Sequence, residues 1–278
     1  MASSEGLLFG TAGIPISSRT RSAQAGIERI QELGLGCMEV EFVYGVKMRP
    51  ETAHAAGELA AEKRVSLSAH GPYFVNLNAR EPEKVVASRE RILQTARMTS
   101  VLGGRSIVFH AGYYLGDPPS SAYAAIRENL VQVLAQLREE GNGVTIRPEI
   151  MGRVSQFGTL EEVLQLCAEV EGLAPAIDFA HLHARSGGDN TYDEFAAILR
   201  KVEGALGREA LDDIHIHVSG IEYGTTGERR HLTLANSDFR YADLLRALKD
   251  FDVRGLLICE SPNLEEDALL LQEAYRSL

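Results

Sequence analysis

Eight short apolar segments, each followed by a longer amphipathic stretch, constrain the fold of this 278-residue chain more than any other feature. The segments are rich in branched and aromatic residues, as buried strands are. They span residues 7–13, 37–42, 65–70, 105–112, 143–150, 174–181, 212–220 and 255–261. Alternating strands and helices predict a parallel sheet, and eight such units in this length predict a closed α/β barrel, (β/α)8, as a single domain over residues 1–278.

The segments between the predicted strands carry helix signals. Residues 81–104 have a proline in the first turn and two glycines at the end, as a helix should. In residues 159–172, Thr159 and Glu162 stand at capping-box spacing before an apolar stripe. No GxGxxG follows the first strand, which disfavours an open dinucleotide-binding sheet.

Alternation along the predicted strands places polar residues inside the barrel. In DDIHIHVSG, for example, His215 and His217 face the lumen and the branched residues between them face outward. Barrel lumens usually hold branched aliphatic residues, and an unpaired buried charge costs several kcal/mol. We therefore expect these groups to be paired or metal-bound. Glu39 and Arg147 are expected to form an internal ion pair, and His215 is expected to support a ligand rather than to be one.

The C-terminal ends of the strands, where barrel active sites lie, form the most informative pattern. Each residue taken singly is well explained by a structural role, but convergence at six strand ends favours a metal centre. Imidazole with carboxylate suits Zn²⁺ or Mn²⁺, and eight candidates exceed the need of one ion. Two or three ions are therefore expected, with Glu149 bridging a pair, as in hydrolases of phosphodiesters and peptides. The candidates are His70, His110, Glu149, Asp178, His181, His217, Glu260 and, in the predicted loop after the seventh strand, His231.

Seven segments that hold the candidate ligands follow one another over residues 65–263: SAHGPYFVNL, VFHAGYYLG, IRPEI, AIDFAHLHA, HIHVSG, RRHL and ICESPN. In sequence and order they resemble the endonuclease IV family (AP endonuclease family 2) of the xylose-isomerase-like TIM-barrel superfamily. The resemblance implies three zinc ions and hydrolysis of the phosphodiester 5′ to an abasic site in duplex DNA, leaving a 3′-hydroxyl, in base excision repair.

The resemblance also implies how the ligands are shared, with Glu149 as the catalytic bridge. The first ion would be held by His70, His110 and Glu149, the second by Glu149, Asp178, His217 and Glu260, and the third by His181 and His231. One position departs from the family: an aspartate expected two residues before His231 is Arg229 here. Either the adjacent Glu228 replaces it, or the third site is weak or empty, or Arg229 contacts phosphate.

DNA contacts are implied at the rim of the barrel. The aromatic pair Tyr73 and Phe74 follows the first ligand histidine and stands where the family has side chains that enter the minor groove. The alternative is that Phe74 caps the core and Tyr73 lines the pocket. Candidates for phosphate contacts are Lys47, Arg49, Arg229 and Arg230.

Two other functions stay open. The first is a sugar isomerase or epimerase with one Mn²⁺ or Mg²⁺, which is favoured by Glu39 and Glu41 because their side chains are predicted to face the lumen. The net charge of −11 also favours it, since this charge disfavours a wholly basic nucleic-acid binder. A non-catalytic protein that binds damaged DNA is favoured by Arg229.

Cysteine usage and hydropathy indicate the cellular location of the protein. The three cysteines are far apart and form no CxxC, and the N-terminal MASSEGLLFG has no basic segment followed by an apolar one. We therefore expect a cytoplasmic monomer with no membrane partner.

Overall fold

In the computed structural model, which describes residues 6–278, eight parallel strands lie side by side around a barrel. The strands in these described residues are β1 (Leu7–Ala12), β2 (Cys37–Glu41), β3 (Ser66–His70), β4 (Ser106–Phe109), β5 (Thr145–Pro148), β6 (Ala176–Asp178), β7 (Ile214–Val218), β8 (Gly220–Gly224), β9 (Gly227–Leu232) and β10 (Gly255–Cys259). The barrel order is β5-β4-β3-β2-β1-β10-β7-β6, and single parallel bridges between β5 and the region of β6 nearly close it. The predicted (β/α)8 TIM barrel is confirmed.

Helices follow the barrel strands and cover their outer faces. They are α1 (Ala23–Glu32), α2 (Pro50–Lys63), α3 (Pro82–Val101), α4 (Pro119–Glu139), α5 (Leu160–Glu169), α6 (Phe179–Ser186), α7 (Tyr192–Leu206), α8 (Glu209–Asp212), α9 (Tyr241–Asp250) and α10 (Glu265–Arg276). The predicted capping box of α5 is present, since Thr159 Oγ1 accepts from the Glu162 amide at 3.2 Å and Glu162 Oε2 accepts from the Thr159 amide at 3.0 Å. No helix within residues 6–278 is long and apolar enough to cross a membrane.

The interior of the barrel holds apolar and polar side chains side by side. Cys37, Leu256 and Ile258 form a small buried apolar cluster. Glu39 and His217 are fully buried polar residues, and His217 pairs with Ile258 in the strand register. The barrel interior therefore contains buried polar groups that need partners.

Three predictions about local structure are wrong in detail or fall outside the described residues. The segment 174–181 is not one strand: β6 ends at Asp178, which caps α6, so His181 lies in a helix. His231 lies in β9 of an antiparallel β8–β9 hairpin rather than in a loop. The third prediction concerns the N-terminal MASSEGLLFG, in which no basic segment precedes an apolar one; its residues 1–5 lie outside the described residues.

The predicted ion pair between Glu39 and Arg147 is also wrong. Arg147 donates to Asp213 Oδ2 at 2.8 Å and to the Pro175 carbonyl at 3.1 Å. Glu39 instead meets residues of β3 and β7, described below. Both residues face the lumen as predicted, but alternation gives the face of a strand and not the depth to which a long side chain reaches.

Candidate metal centre

The C-terminal ends of the barrel strands surround a pocket of about 280 Å³. Six of the eight predicted ligands line it: His70, His110, Glu149, His181, His231 and Glu260. The other two, Asp178 and His217, lie beneath it and are fully buried. The structure therefore brings all eight predicted ligands together, in three groups whose candidate ligand atoms lie within 4.8 Å of one another.

The first group is formed by β3 and the residues after β4 and β5. Glu149 Oε2 lies 3.3 Å from His70 Nε2 and 3.0 Å from His110 Nε2. His70 Nδ1 is 2.8 Å from the Gly71 carbonyl, which can only accept a hydrogen bond. One His70 proton therefore sits on Nδ1, and Nε2, which lies 3.3 Å from Glu149 Oε2, is the nitrogen left to face an ion.

The second group shares Glu149 through its other oxygen. Glu149 Oε1 lies 3.3 Å from His217 Nδ1, which is 3.5 Å from Glu260 Oε1. Asp178 completes this group. Its Oδ1 accepts from the His181 amide at 2.7 Å, whereas Oδ2 is buried without a hydrogen-bond partner in the described part of the chain. His181 Nδ1 lies 3.3 Å from this oxygen but donates to the Ile150 carbonyl, so Oδ2 fits a position that a cation would satisfy.

The third group consists of Asp178, His181 and His231, and it joins β6 and α6 to the β8–β9 hairpin. His181 Nδ1 lies 3.0 Å from the Ile150 carbonyl and His231 Nδ1 lies 3.3 Å from the Glu260 carbonyl, so both rings carry a proton on Nδ1. Their Nε2 atoms then face each other 3.4 Å apart. Two lone pairs at that distance repel unless a proton or a cation lies between them, so this donor set also fits a metal ion.

The structure orients Glu228 and Arg229 in opposite directions. Glu228 lines the pocket, with Oε2 3.6 Å from His181 Nε2. Arg229 turns out of it toward Glu222, as Arg230 does. The turn before Glu228 is tight, because a Cβ on Gly227, which has φ +89°, would lie 2.1 Å from the Gly152 carbonyl oxygen. Glu228 therefore stands beside the third group as a second carboxylate, in addition to Asp178.

The electrostatics of the buried groups reflect their mutual pairing. Burial would raise the pKa of Glu149, but the charge of His110 and hydrogen bonds from the surrounding imidazoles hold it well below its usual range. Burial opposes a charged His70, but the hydrogen bond to Glu149 and nearby carboxylates raise the pKa of His70 to about 10. Burial raises the pKa of Asp178 to about 6 despite the neighbouring His181. Without a metal ion, protons on the imidazoles balance the charge of the buried carboxylates, and a metal ion would displace those protons.

The predicted DNA-contacting residues do not line one common pocket. Tyr73 lines the pocket and stacks on His110, with ring centroids 5.4 Å apart at 22°. Phe74 is half exposed and lies under the Arg91 guanidinium, 4.6 Å from its carbon, beside a separate groove. Lys47 lines a third cavity between the loops after β1 and β2, and Arg49 precedes the first turn of α2.

Four further pocket residues were not among the predicted site residues: Tyr113, Met151, Arg153 and Gln156. All follow strand ends, in the loops after β4 and β5. Their position could have been inferred from that order, but their residue types alone carry no metal-ligand signal.

Two relatives show what the sequence is similar to. The uncharacterized protein MJ0133 of Methanocaldococcus jannaschii is 47% identical over 273 residues, which cover 98% of each chain. A probable endonuclease 4 of Geobacillus is 30% identical over 166 residues, which cover 58% of this chain and 54% of the relative. The chain thus spans about half the length of this endonuclease 4 relative.

Solved structures share the fold along nearly the whole chain. Endonuclease IV from Thermus thermophilus superposes with a TM-score of 0.72 at 19% identity and 98% coverage of both chains. A D-tagatose 3-epimerase-like protein superposes with a TM-score of 0.71 at 21% identity and 96% coverage of both. A family model described as xylose isomerase-like TIM barrel matches residues 27–278. The chain therefore belongs to the xylose isomerase-like TIM barrel family, and its resemblance to endonuclease IV is confirmed.

Proposed function

We propose that the protein is a metal-dependent phosphodiester hydrolase that cuts duplex DNA 5′ to abasic sites and leaves a 3′-hydroxyl. One observation carries the proposal: the two oxygens of Glu149 face two different ligand groups, as a carboxylate that bridges two ions would. The similarity to proteins named endonuclease 4 supports DNA as the substrate.

The residues suit Zn²⁺ in two or three positions, with Mn²⁺ as the alternative. The first and third groups are rich in imidazole, which favours zinc, and the second has three carboxylates and one imidazole. When bound, such ions polarise a phosphoryl oxygen and lower the pKa of water. The chain's own part is to aim the ligands: the Gly71 and Ile150 carbonyls fix the rings of His70 and His181.

The pocket also restricts the substrate. Its volume of about 280 Å³ lies just below the range of about 300–1,000 Å³ that is usual for small-molecule sites. A sugar phosphate without its base suits this volume better than an intact nucleotide does. Tyr73 forms one wall against His110, and Arg153, half exposed on another side, offers a positive charge to a phosphate.

Replacement of Glu228 tests the third group. We expect Glu228→Ala to lower the metal content at saturation from about three ions per chain to about two, because Glu228 Oε2 lies 3.6 Å from His181 Nε2, the nitrogen that faces His231. Arg229→Ala is the matched control, since this side chain points at Glu222, and it should keep all the ions. Elemental analysis after gel filtration measures both. A loss of metal in the Arg229 variant alone would contradict this assignment.

Replacement of Phe74 tests whether the rim of the barrel binds DNA. We expect Phe74→Ala to weaken binding to an abasic duplex by about 10-fold or more, because stacking of a base on an aromatic ring is worth about 1–3 kcal/mol. The metal content of the Phe74 variant should not change, since Phe74 lies away from the ligands. Tyr73→Ala is also expected to weaken DNA binding, but it is the less specific variant because Tyr73 stacks on the candidate ligand His110. Fluorescence anisotropy with metal present and cleavage blocked measures the affinity. Val131→Ala, which changes another exposed apolar residue, is the control. An unchanged affinity for the Phe74 variant would refute the proposed insertion of Phe74 into the minor groove.

A single-metal sugar epimerase is the second candidate. The group of Glu149, Asp178, His217 and Glu260 could hold one Mn²⁺ by itself, and an epimerase-like protein shares the fold. Metal content separates the two: about three zinc ions support the hydrolase, whereas one manganese ion supports the epimerase. Binding to abasic DNA without cleavage would instead indicate a non-catalytic protein.

A further inference from the structure

A second buried polar cluster lies in the lumen directly beneath the candidate metal centre. It consists of Glu39 on β2, Ser68 on β3, Ser106 on β4 and His215 and His217 on β7, all at most 1% exposed. His217 belongs to both this cluster and the second ligand group. It therefore connects the metal centre to the interior of the barrel.

The two ring nitrogens of His217 face different carboxylates. Nδ1 points to the ligand group, 3.3 Å from Glu149 Oε1. Nε2 lies 2.9 Å from Glu39 Oε1. Neither atom has another hydrogen-bond partner in the described part of the chain. The nearest acceptor for a proton on Nε2 is therefore Glu39.

A histidine binds a metal ion through an unprotonated nitrogen, so its other nitrogen carries the proton and needs an acceptor. We infer that Glu39 is a positioning residue, which holds the proton of His217 on Nε2 and thereby presents Nδ1 to the ion of the second group. This inference rests on the proposed metal site. It adds a residue on β2, a strand that contributes none of the eight ligands, to the set that determines metal affinity.

Glu39 is itself held in place from its other oxygen. Ser68 Oγ donates to Glu39 Oε2 at 2.8 Å, and His215 Nε2 lies 3.0 Å from the same atom. His215 Nδ1 in turn lies 3.4 Å from Ser106 Oγ. A carboxylate buried this deeply needs such partners, and together they leave Oε1 for His217.

The first test measures metal affinity without DNA. Zn²⁺ is titrated into the metal-free full-length protein in competition with a chromophoric chelator. Glu39→Gln is expected to weaken the binding of one ion by about 10–100-fold, the usual effect of losing an outer partner of a metal-bound histidine. The number of ions at saturation should not change. Ser68→Ala, which removes only a support of Glu39, should have a smaller effect in the same direction.

Glu41→Gln is the matched control, because Glu41 is the next inward residue of β2 and has a different neighbour, His70, across the sheet. An equal loss of affinity in the Glu41 variant would show that the effect is not specific to Glu39 and would overturn the inference. Unchanged affinity in the Glu39 variant would do the same. Loss of a whole ion at saturating zinc would make Glu39 a ligand, in a separate site with His215 and His217, and would also overturn it.

The second test uses the unmodified protein and does not depend on how the variants fold. Nitrogen-15 chemical shifts of the histidines in the zinc-loaded protein identify which nitrogen of His217 carries the proton. We expect Nε2–H, and a proton on Nδ1 would refute the inference. Absence of any metal binding would overturn both this inference and the proposed function. Intact metal binding without DNA cleavage would overturn the proposed function alone.

Discussion

The Glu149→Ala protein is expected to cleave abasic duplex DNA on the order of 10³-fold more slowly than the unmodified protein, or worse. Glu149 Oε2 contacts His110 at 3.0 Å and Oε1 contacts His217 at 3.3 Å, so one substitution removes a ligand from two groups. A 10³-fold loss corresponds to about 4 kcal/mol of activation free energy. Single-turnover cleavage of a labelled duplex measures this loss directly.

Two further variants interpret the loss of activity. Glu149→Gln keeps the size of the side chain but removes its charge, so it should lose nearly as much activity and show that packing is not the cause. Glu169→Ala removes an exposed glutamate that pairs with Arg127 on the outer helices and should cleave normally. Cleavage by the Glu149→Ala protein within about 10-fold of the unmodified rate (about 1.4 kcal/mol) would contradict the bridging role.

Removal of metal is expected to have the second large effect, on stability as well as on activity. The ligands are buried, and without an ion their charges must be balanced by protons alone. One ion at about 100 times its dissociation constant contributes about 2.7 kcal/mol, and each kcal/mol moves Tm by about 2–4 °C in a chain of this size. Calorimetry should therefore show Tm falling by several degrees per ion after treatment with EDTA and recovering when zinc is added back.

The Glu149→Ala variant is the control for this stability effect. Having lost a shared ligand, it should show a clearly smaller decrease of Tm with EDTA than the unmodified protein. An unmodified protein whose Tm does not respond to EDTA, and which contains no bound metal before treatment, would contradict the account of the buried groups.

Much of the barrel and of the ligand set could be predicted from the sequence because both depend on short-range patterns. Alternation along a strand places His70 or His217 in the lumen, and the strand end places it at the mouth. This reasoning accounts for six of the eight predicted ligands, whereas His181 lies in α6 and His231 in β9. We also predict that the chain is a single domain, a monomer and cytoplasmic. These properties do not depend on such patterns, and they stay predictions.

The contacts of long side chains could not be predicted in the same way. Arg147 and Glu39 both face the lumen, yet Arg147 extends to Asp213 and Glu39 to the histidines of β7. Likewise, the direction of Arg229 is set by the β8–β9 hairpin, whose register shifts between Glu222 and Tyr223. Such contacts depend on strand register and on close approaches such as that of Gly227 to Gly152, which single-residue patterns do not encode.

The most direct test of the central claim is one cleavage experiment with a metal measurement on the same sample. The purified protein is incubated with an end-labelled duplex that contains a single abasic site, with and without EDTA, and its metal content is determined in parallel. We predict a cut 5′ to the abasic site, a 3′-hydroxyl that a polymerase can extend, two or three zinc ions per chain, and no cut in EDTA. Cleavage that persists after complete metal removal, or no cleavage by a fully zinc-loaded protein, would contradict the account.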